Sequence, residues 1–366
     1  MFLIVTRNFP PDVGGMQVLM GGLAESLLVY DRVKVFTYDF PNSTLYDDKS
    51  EINIERIKGI KLFRKYRKAN LVNTFISENL NIKSIITDHW KSLEILNEKS
   101  VKKCKTICLL HSKEINHKIG TLLNKRLIKS TDKANFIIAN SNFTKELAIK
   151  VGINASKIRV IFPGIPKPKK VDEEFKMKAK TFFKDSFPKI ITVARLEKRK
   201  GHDKILMTIK NLKAKFPNIR YVSIGHGEEE ASLEKLSKEL FIEKEVIFLK
   251  NIDNNLKIAL IETSDLFIMP SRIEKKSVEG FGISYVEAAS YGVGSIGGKD
   301  GGASDAITHN KTGLICNGNE LDAIYESAVY FLSNNRFTKF GQAAKEFSEN
   351  FHWNKVVKKY LKLINE

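Results

Sequence analysis

The chain has few of the features that mark secreted, metal-binding or membrane-spanning proteins. Its three cysteines, Cys104, Cys108 and Cys316, are an odd number without metal-binding spacing, so we predict reduced, structural thiols. No stretch approaches the roughly 20 apolar residues that a membrane-spanning helix needs. The N-terminus reads Met-Phe-Leu-Ile-Val-Thr-Arg, without a basic segment before its apolar run, and a signal peptide is therefore not expected. These absences favour a cytoplasmic protein.

Acidic residues are also scarce relative to basic ones. The formal net charge is +19, and most of this surplus precedes Lys169. Such a charge implies an anionic partner, which could be nucleotide phosphates, nucleic acid or an acidic membrane surface. The alternative is a generally lysine-rich protein without a basic binding surface.

The length and the hydrophobic pattern predict two α/β domains. A chain of 366 residues is too long for one comfortable core. Short apolar runs alternate with amphipathic stretches, which is typical of βα units and a parallel sheet. Three prolines and a glycine between Pro163 and Asp172 interrupt this alternation and predict a hinge. We therefore expect two Rossmann-like doubly wound domains facing a cleft, over residues 1–165 and 166–347, followed by a C-terminal helix over residues 348–366; that this helix crosses back to the first domain is implied only by the family resemblance described below.

Six strands are predicted in each half, with helices between them. In the first half the strands are Phe2–Thr6, Arg32–Thr37, Ser84–Thr87, Thr106–Leu110, Phe136–Ala139 and Arg159–Ile161. In the second half they are Lys189–Ala194, Ile219–Ile224, Val246–Leu249, Leu266–Met269, Val293–Ile296 and Gly313–Cys316. The last segment, Phe337–Asn365, has helical spacing of its apolar residues.

Three loops that follow predicted strands could bind an anion, because ligands of open α/β sheets bind at the carboxyl ends of strands. Gly14 and Gly15 allow backbone N–H groups to approach a phosphate at a helix N-terminus, although any tight turn can use a glycine pair. Arg195 and Lys200, five residues apart, suit a diphosphate, or they belong to a solvated basic loop. Gly225-His-Gly227 begins a dinucleotide motif, but Glu230 replaces its third glycine, so an NAD site is not expected.

The fourth loop carries the strongest signal. Arg272 ends a strand, and Glu279-Gly280-Phe281-Gly282 then leads into a helix that contains Glu287. If Glu279 stands at the helix entrance, two glutamates eight residues apart fall on the same side and can accept hydrogen bonds from sugar and ribose hydroxyls. The alternative is a glutamate that complements the helix dipole plus a solvated one. The glycine pairs Gly297-Gly298 and Gly301-Gly302 are interpreted as opening space for a ligand.

Together these segments resemble the retaining glycosyltransferases of family 4, which have the GT-B fold. The similarity covers nearly the whole chain and is densest from Val193 to Gly313. It comprises Arg195-Leu-(x)3-Lys200-Gly-His, Ile-Gly225-His-Gly227-Glu, Glu279-Gly-Phe-Gly-Ile-(x)3-Glu287 and Gly301-Gly-Ala-Ser-Asp305. The run from Pro270 to Gly302 is most similar to the branch that includes bacterial phosphatidylinositol mannosyltransferases.

The resemblance implies a retaining hexosyltransferase that uses a nucleotide-sugar donor. It implies that Arg195 and Lys200 bind the donor diphosphate, Glu279 contacts the transferred sugar and Glu287 contacts the ribose. His111 is expected beside the donor sugar, and Gly15 near the donor phosphate. The remaining expected donor-binding residues are Gly14, Gly225, Gly227, Arg272, Gly280, Phe281 and Gly282.

Neither a metal ion nor another cofactor is expected. No Asp-x-Asp sequence occurs in the chain, so a metal-bridged diphosphate is not indicated, and the nucleotide sugar is a substrate. The branch favours GDP-mannose over UDP-glucose, UDP-galactose and UDP-N-acetylglucosamine. Lys250-Asn251 replaces a common glycine near the nucleobase, which leaves the base open. The expected acceptor is an envelope glycan or glycolipid.

A basic run in the first domain suggests a membrane surface. Arg64, Lys65, Arg67 and Lys68 alternate with apolar residues, a composition that suits anionic lipid headgroups, although most charge runs are only solvated faces. Peripheral binding to the inner face of the cytoplasmic membrane would follow. Asp88 and His89, at another predicted strand end, form a candidate acceptor-side cluster, and Trp90 beside them could be a core residue.

Two other functions remain as alternatives. A sugar-nucleotide epimerase would share the architecture, but it should show additional acid and base residues that we do not find. A nucleic-acid-binding protein without catalysis would explain the charge, with binding that falls steeply with salt. It would leave Glu279, Glu287 and the clustered glycines unexplained, so we do not expect nucleic acid as the partner.

Overall fold

The computed structural model describes residues 1–366, which form two compact units. The N-terminal unit consists of Met1–Pro166 together with Phe351–Glu366, and the C-terminal unit of Lys167–Asn350. The chain therefore passes between them inside the predicted proline-rich segment, and it returns at Phe351 rather than at residue 348.

The N-terminal unit contains a seven-stranded sheet in which all neighbouring strands are parallel. Its strands are β1 (Phe2–Val5), β2 (Val33–Tyr38), β3 (Asn53–Ile57), β4 (Ser84–Thr87), β5 (Lys105–Leu110), β6 (Phe136–Ala139) and β7 (Ile158–Val160). Its first eight helices are α1 (Gly15–Leu28), α2 (Thr44–Asp47), α3 (Lys61–Glu78), α4 (Trp90–Glu94), α5 (Glu98–Val101), α6 (Ser112–Ile115), α7 (Leu122–Thr131) and α8 (Asn142–Lys150). The strand order is β3-β2-β1-β4-β5-β6-β7.

Both faces of this sheet are covered, which explains its continuous apolar strands. Along β1, Phe2 and Ile4 pack into one hydrophobic cluster, and Leu3 and Val5 into another on the opposite face. Successive side chains of a strand point to opposite faces, so a strand between two helical layers needs apolar residues at every position.

The C-terminal unit repeats the plan with a six-stranded parallel sheet. Its strands are β8 (Lys189–Val193), β9 (Arg220–Ile224), β10 (Val246–Leu249), β11 (Leu266–Met269), β12 (Ser295–Gly298) and β13 (Gly313–Cys316). Its helices are α9 (Glu173–Phe183), α10 (His202–Lys213), α11 (Glu230–Glu239), α12 (Asn254–Thr263), α13 (Ile283–Ser290), α14 (Ala303–Ala306), α15 (Leu321–Leu332) and α16 (Arg336–Ser348). The strand order is β10-β9-β8-β11-β12-β13. The order reverses between β1 and β4 in one sheet and between β8 and β11 in the other, and ligands bind at such switch points.

The chain ends in two helices rather than the single one predicted. A 3₁₀ turn at Glu349–Phe351 separates α16 from α17 (Trp353–Asn365), which packs on α1 in the N-terminal unit. Trp353 lies so close to Gly22 and Gly164 that a Cβ on either glycine would come within 3.0 Å of its indole ring. This packing places the end of the chain in the core of the N-terminal unit.

Three other elements differ from the sequence prediction. Strand β3 was missed because Asn53, Glu55 and Arg56 make this edge strand polar. Helix α9 was not predicted. Strand β12 lies two residues later than predicted, because Gly297 and Gly298 belong to the strand itself.

Candidate active site

The loops that follow β8 and β11 meet at the switch point of the C-terminal unit. The first loop contains a 3₁₀ turn, Lys198–Lys200, and ends at Gly201, whose φ is +78°. A Cβ on Gly201 would come within 3.0 Å of the carbonyl oxygen of Pro270 in the second loop. The backbone N–H of Arg272 also donates to the carbonyl of Arg199 at 2.9 Å. Direct contact between the two loops brings their charged side chains together.

The centre of this site is the carboxylate of Glu279. Its Oε2 atom accepts a hydrogen bond from Lys200 Nζ and another from Arg199 Nη1, the latter at 3.0 Å. The three side chains are only 10–12% exposed. Two cations therefore share one oxygen of a carboxylate that water scarcely reaches.

Burial and pairing act in opposite directions on Glu279. Burial by itself would raise the pKa of the carboxyl, but Lys200 and Arg199 outweigh it and hold the pKa at about 2. Burial also lowers the pKa of Lys200, while the Glu279 carboxylate opposes that effect. Because opposite charges in contact favour the ionised forms, Glu279 is an anion at neutral pH.

Arg195 is the exposed cation of the site. Its side chain is 60% exposed, and its Nη1 lies 2.9 Å from Glu197 Oε1. The other oxygen of Glu197 accepts a hydrogen bond from Arg199 Nε at 2.8 Å. A chain of ion pairs therefore connects Arg195 to Glu279 through Glu197 and Arg199.

The geometry assumed for Glu279 and Glu287 is wrong in one respect. Helix α13 begins at Ile283, after Gly282 has turned the chain with φ +88°, so Glu279 lies in the loop and not in the first helical turn. Glu287 lies on α13, and its Oε1 is 2.6 Å from Nζ of Lys257 on α12. Because the chain turns at Gly282, Glu279 and Glu287 do not belong to one continuous helix. Their spacing of eight residues therefore does not place them on a common helix face.

Two of the predicted donor-binding residues, Arg272 and Phe281, interact with other parts of the C-terminal unit. Arg272 donates two hydrogen bonds of 2.9 Å to Asp203, the second residue of α10. The side chain of Phe281 is buried in the core.

The glycines mostly serve close packing of the backbone. A Cβ on any of Gly225, Gly227, Gly298, Gly301 or Gly302 would come within 3.0 Å of a backbone carbonyl. A Cβ on Gly297 would come within 3.0 Å of the Ile307 side chain. The interpretation that Gly297-Gly298 and Gly301-Gly302 open space for a ligand is therefore wrong. Around Gly14 the nearest neighbour would be the Gln17 side chain, and beyond Gly15 nothing lies within 4 Å. Only Gly15, the first residue of α1, has the open space that an anion at a helix N-terminus requires.

In the N-terminal unit, Asp88 and His89 follow β4 at the switch point. Asp88 is fully buried; it accepts hydrogen bonds from the backbone N–H of Arg7 at 2.9 Å and from Ser92 Oγ at 2.7 Å. Both of its oxygens are therefore occupied by the protein, which argues against Asp88 as an acceptor ligand.

His89 belongs to a second buried pair. Its Nδ1 accepts from the backbone N–H of Lys91 at 2.8 Å, so Nε2 carries the proton, and Nε2 lies 3.2 Å from Glu114 Oε2. Burial, and secondly the charge of Arg7, lower the pKa of His89 to about 2. Burial raises the pKa of Glu114 to about 8. The result is a neutral imidazole whose Nε2 lies 3.2 Å from a carboxyl of unusually low acidity.

His111 directly follows β5, as predicted. Its Nε2 is shielded from solvent and has no hydrogen-bond partner, while its Nδ1 lies 3.5 Å from Asn140 Nδ2. Burial lowers the pKa of His111 to about 4, so the ring is neutral at pH 7. His111 is therefore a neutral imidazole at a strand end, with a solvent-shielded Nε2 atom that has no hydrogen-bond partner.

Two family models cover most of the chain. The model described as Glycosyltransferase Family 4 matches residues 13–167, and that described as Glycosyl transferases group 1 matches residues 173–350. The chain belongs to glycosyltransferase family 4. This glycosyltransferase is 23% identical over 366 residues to the GDP-mannose-dependent alpha-(1-6)-phosphatidylinositol monomannoside mannosyltransferase of Mycolicibacterium smegmatis, with 96% of this chain and 94% of the relative covered. It is 24% identical over 349 residues to the corresponding mannosyltransferase for the monoacylated substrate from Corynebacterium glutamicum, with 91% and 88% covered.

Solved structures establish the GT-B fold of this glycosyltransferase. The HepE protein of Anabaena in complex with UDP has a TM-score of 0.82 at 16% identity, with both chains covered completely. Sucrose-phosphate synthase from Thermosynechococcus elongatus has a TM-score of 0.81 at 17% identity, with 100% of this chain and 98% of that chain covered.

One group of exposed apolar residues of the glycosyltransferase lies beside basic residues at the start of α3. Ile60, Leu62, Phe63 and Tyr66 are 54–73% exposed, and we call these four residues the α3 patch. Arg67 beside them is exposed, whereas Arg64 stacks on Tyr38 and Lys65 pairs with Glu94. No helix of the protein has the length and apolar character needed to cross a membrane.

Lys68 does not belong to this surface, and its predicted place there is wrong. It is 1% exposed, donates to the carbonyl of Thr6 at 2.7 Å and lies 4.2 Å from the Tyr38 ring centroid. Burial lowers its pKa to about 8. Lys68, Val72 and Ile76 are the buried residues of α3, and their spacing of four would have revealed the inward position of the lysine.

Proposed function

We propose that this family 4 glycosyltransferase is a retaining, metal-independent hexosyltransferase that takes its sugar from a nucleotide-sugar donor. GDP-mannose is the favoured donor and a UDP-sugar the next, and the acceptor is an envelope glycan or glycolipid. The mannosyltransferases named above support the donor and the acceptor class.

The observation that carries this proposal is the ionised Glu279 at the β8–β11 switch point, paired with Lys200 and Arg199, while Arg195 is connected to it through Glu197 and Arg199. A carboxylate accepts hydrogen bonds from sugar hydroxyls, and the cations of Lys200 and Arg195 suit a diphosphate. In this proposal Glu287 on α13 accepts hydrogen bonds from the ribose hydroxyls, with Lys257, its ion-pair partner, either sharing the carboxylate or moving away from it.

The proposed reaction needs no side-chain nucleophile. The acceptor oxygen bonds to the anomeric carbon on the face from which the phosphate oxygen departs, and the leaving phosphate takes the hydroxyl proton. Arg195 and Lys200 stabilise the negative charge that develops on the departing diphosphate, in the role that a metal ion has elsewhere. The unpaired Nε2–H of His111 would donate to a sugar hydroxyl.

Calorimetric titration with GDP, UDP and ADP and their sugar conjugates, in EDTA, tests the donor site. Arg195→Ala is expected to weaken binding of the preferred nucleotide at least tenfold. Lys198→Ala, which removes an exposed cation from the same loop, is expected to change it less than twofold. No binding by any nucleotide in EDTA would refute the proposal. The anomeric configuration of the product, read by NMR, tests retention.

We further propose that the α3 patch docks on an anionic bilayer. Exposed apolar side chains beside basic ones match the boundary between acyl chains and acidic headgroups, and the net charge of +19 favours that surface. Phe63→Ser should reduce sedimentation with phosphatidylglycerol vesicles, whereas Met177→Ser, which removes a side chain 61% exposed on α9, should not. Equal sedimentation of both variants, or retention on nucleic acid in place of vesicles, would refute this surface.

A further inference from the structure

The carboxylate of Glu279 contacts two cationic side chains although it carries only one negative charge. Both Lys200 and Arg199 donate to Oε2 of this carboxylate, and Arg199 also pairs with Glu197. A buried carboxylate needs a counterion because transfer out of water disfavours the charged form. Lys200 alone would satisfy that need, and Arg199 already has Glu197 as a partner, so the additional contact of Arg199 with Glu279 requires an explanation.

The proposed function, on which this inference rests, gives Lys200 a second task. If Lys200 binds the donor diphosphate, its ammonium group must turn partly from Glu279 to a phosphate oxygen. Glu279 would then be a buried anion without a partner unless another cation stayed in place. Removing one partner of a buried ion pair is strongly unfavourable, because the remaining charge is uncompensated.

Arg199 is held so that it can stay. Its Nη1 donates to Glu279 at 3.0 Å and its Nε donates to Glu197 at 2.8 Å, and its side chain is 12% exposed. A planar guanidinium held at two of its nitrogens has little freedom to follow an incoming phosphate. Arg195, in contrast, is 60% exposed and has a single carboxylate contact.

We propose that Arg199 is a positioning residue that keeps Glu279 ionised and oriented for the donor sugar, while Lys200 and Arg195 bind the diphosphate. Loss of Arg199 then affects recognition of the sugar and leaves recognition of the nucleotide unchanged.

Calorimetry with matched ligands, GDP against GDP-mannose and UDP against UDP-glucose, separates these two effects. In Arg199→Gln the Kd of the nucleoside diphosphate should stay within twofold of wild type. The ratio of the nucleotide Kd to the nucleotide-sugar Kd should fall about tenfold, and kcat should fall with little change in the acceptor KM. Lys198→Gln, which removes one charge from the same turn, should change neither quantity.

Arg199→Lys is the second variant, because it retains a cation within reach of Glu279 but cannot bridge to Glu197. In this variant the ratio of the nucleotide Kd to the nucleotide-sugar Kd should fall about threefold or less, compared with about tenfold in Arg199→Gln. Equal weakening of nucleotide and nucleotide sugar in Arg199→Gln would make Arg199 a phosphate ligand and overturn the proposal. An unchanged ratio, or no recovery in Arg199→Lys, would overturn it as well. If the proposed function fails, wild type itself binds no nucleotide, and this is visible before any variant is compared.

Discussion

Replacement of Glu279 by Gln tests whether the charge network stabilises the C-terminal unit. The amide keeps the shape of the side chain but removes the anion between Lys200 and Arg199, and only Arg199 keeps another carboxylate partner, Glu197. We expect the free energy of unfolding of this unit to fall by about 3 kcal/mol at pH 7. The pKa of Glu279 is lowered from 4.5 to about 2, and each pH unit corresponds to about 1.4 kcal/mol. The cost of breaking a buried pair, about 3–5 kcal/mol, is of the same size.

The same interaction predicts a pH dependence with a definite sign. Because the pKa in the folded state lies below its unfolded value, the stabilisation by Glu279 is fully present above pH 4.5 and is lost as the pH falls toward 2. The difference in stability between wild type and Glu279→Gln should therefore be constant from pH 8 to 5 and should narrow below pH 4.5.

The assay has to follow the two units separately. Both tryptophans, Trp90 and Trp353, lie in the N-terminal unit, so their fluorescence during urea unfolding serves as an internal control. Amide hydrogen exchange of peptides from β8 and β11, measured in increasing urea, reports the C-terminal unit. Glu274→Gln removes a charge from the same loop without breaking an ion pair, and it should be neutral. The reasoning would be refuted if Glu279→Gln and Glu274→Gln were equally stable. It would also be refuted if the stability difference between wild type and Glu279→Gln did not become smaller below pH 4.5.

Three further substitutions test other parts of the structure. Glu114→Gln should stabilise the N-terminal unit more at pH 8 than at pH 5, because the pKa of this carboxyl is raised to about 8 and its ionised form destabilises the fold increasingly above pH 4.5; urea unfolding by tryptophan fluorescence measures this, and a pH-independent effect would contradict it. Gly22→Ala places a Cβ against the indole of Trp353 and should lower thermal stability by several degrees, a loss that Trp353→Leu in the same chain should partly relieve. Gly298→Ala places a Cβ on a backbone carbonyl that cannot move away, and it should impair folding, as soluble yield and circular dichroism would show; normal folding of this variant would contradict the packing.

The local pattern was sufficient for most of the architecture. Leu266–Met269 is a run of apolar residues between polar ones, and it is a strand with the predicted bounds because a strand covered on both faces needs apolar residues throughout. The same reasoning failed for β3, where Glu55 and Arg56 lie on an edge strand that is only partly buried. Edge strands contact solvent along one side and tolerate charge, so their sequences resemble loops.

Lys68 and the glycines show a second limit of sequence reasoning. Charge and composition suggested that Lys68 lies on the surface, but its position in the helix turns it inward to a backbone carbonyl. The glycines near Glu279 were interpreted as space for a ligand, whereas the backbone of a neighbouring loop occupies that space. A charged residue or a glycine in the sequence marks a position with a structural or functional role. Which role it has depends on the part of the chain that packs against it.

The sequence by itself therefore determined the class of fold, the division into two α/β units and the loops in which Arg195, Lys200 and Glu279 lie. These properties follow from local periodicity and from short motifs. The tertiary structure alone decided which side chains act together: Arg199 with Glu279, 80 residues apart in the chain, and His89 with Glu114. Because the strand order reverses between β8 and β11, the loops that follow these strands are neighbours although they are distant in sequence. The free energy of a buried charge such as that of Glu279 depends on which partners lie beside it, and only the fold determines those partners.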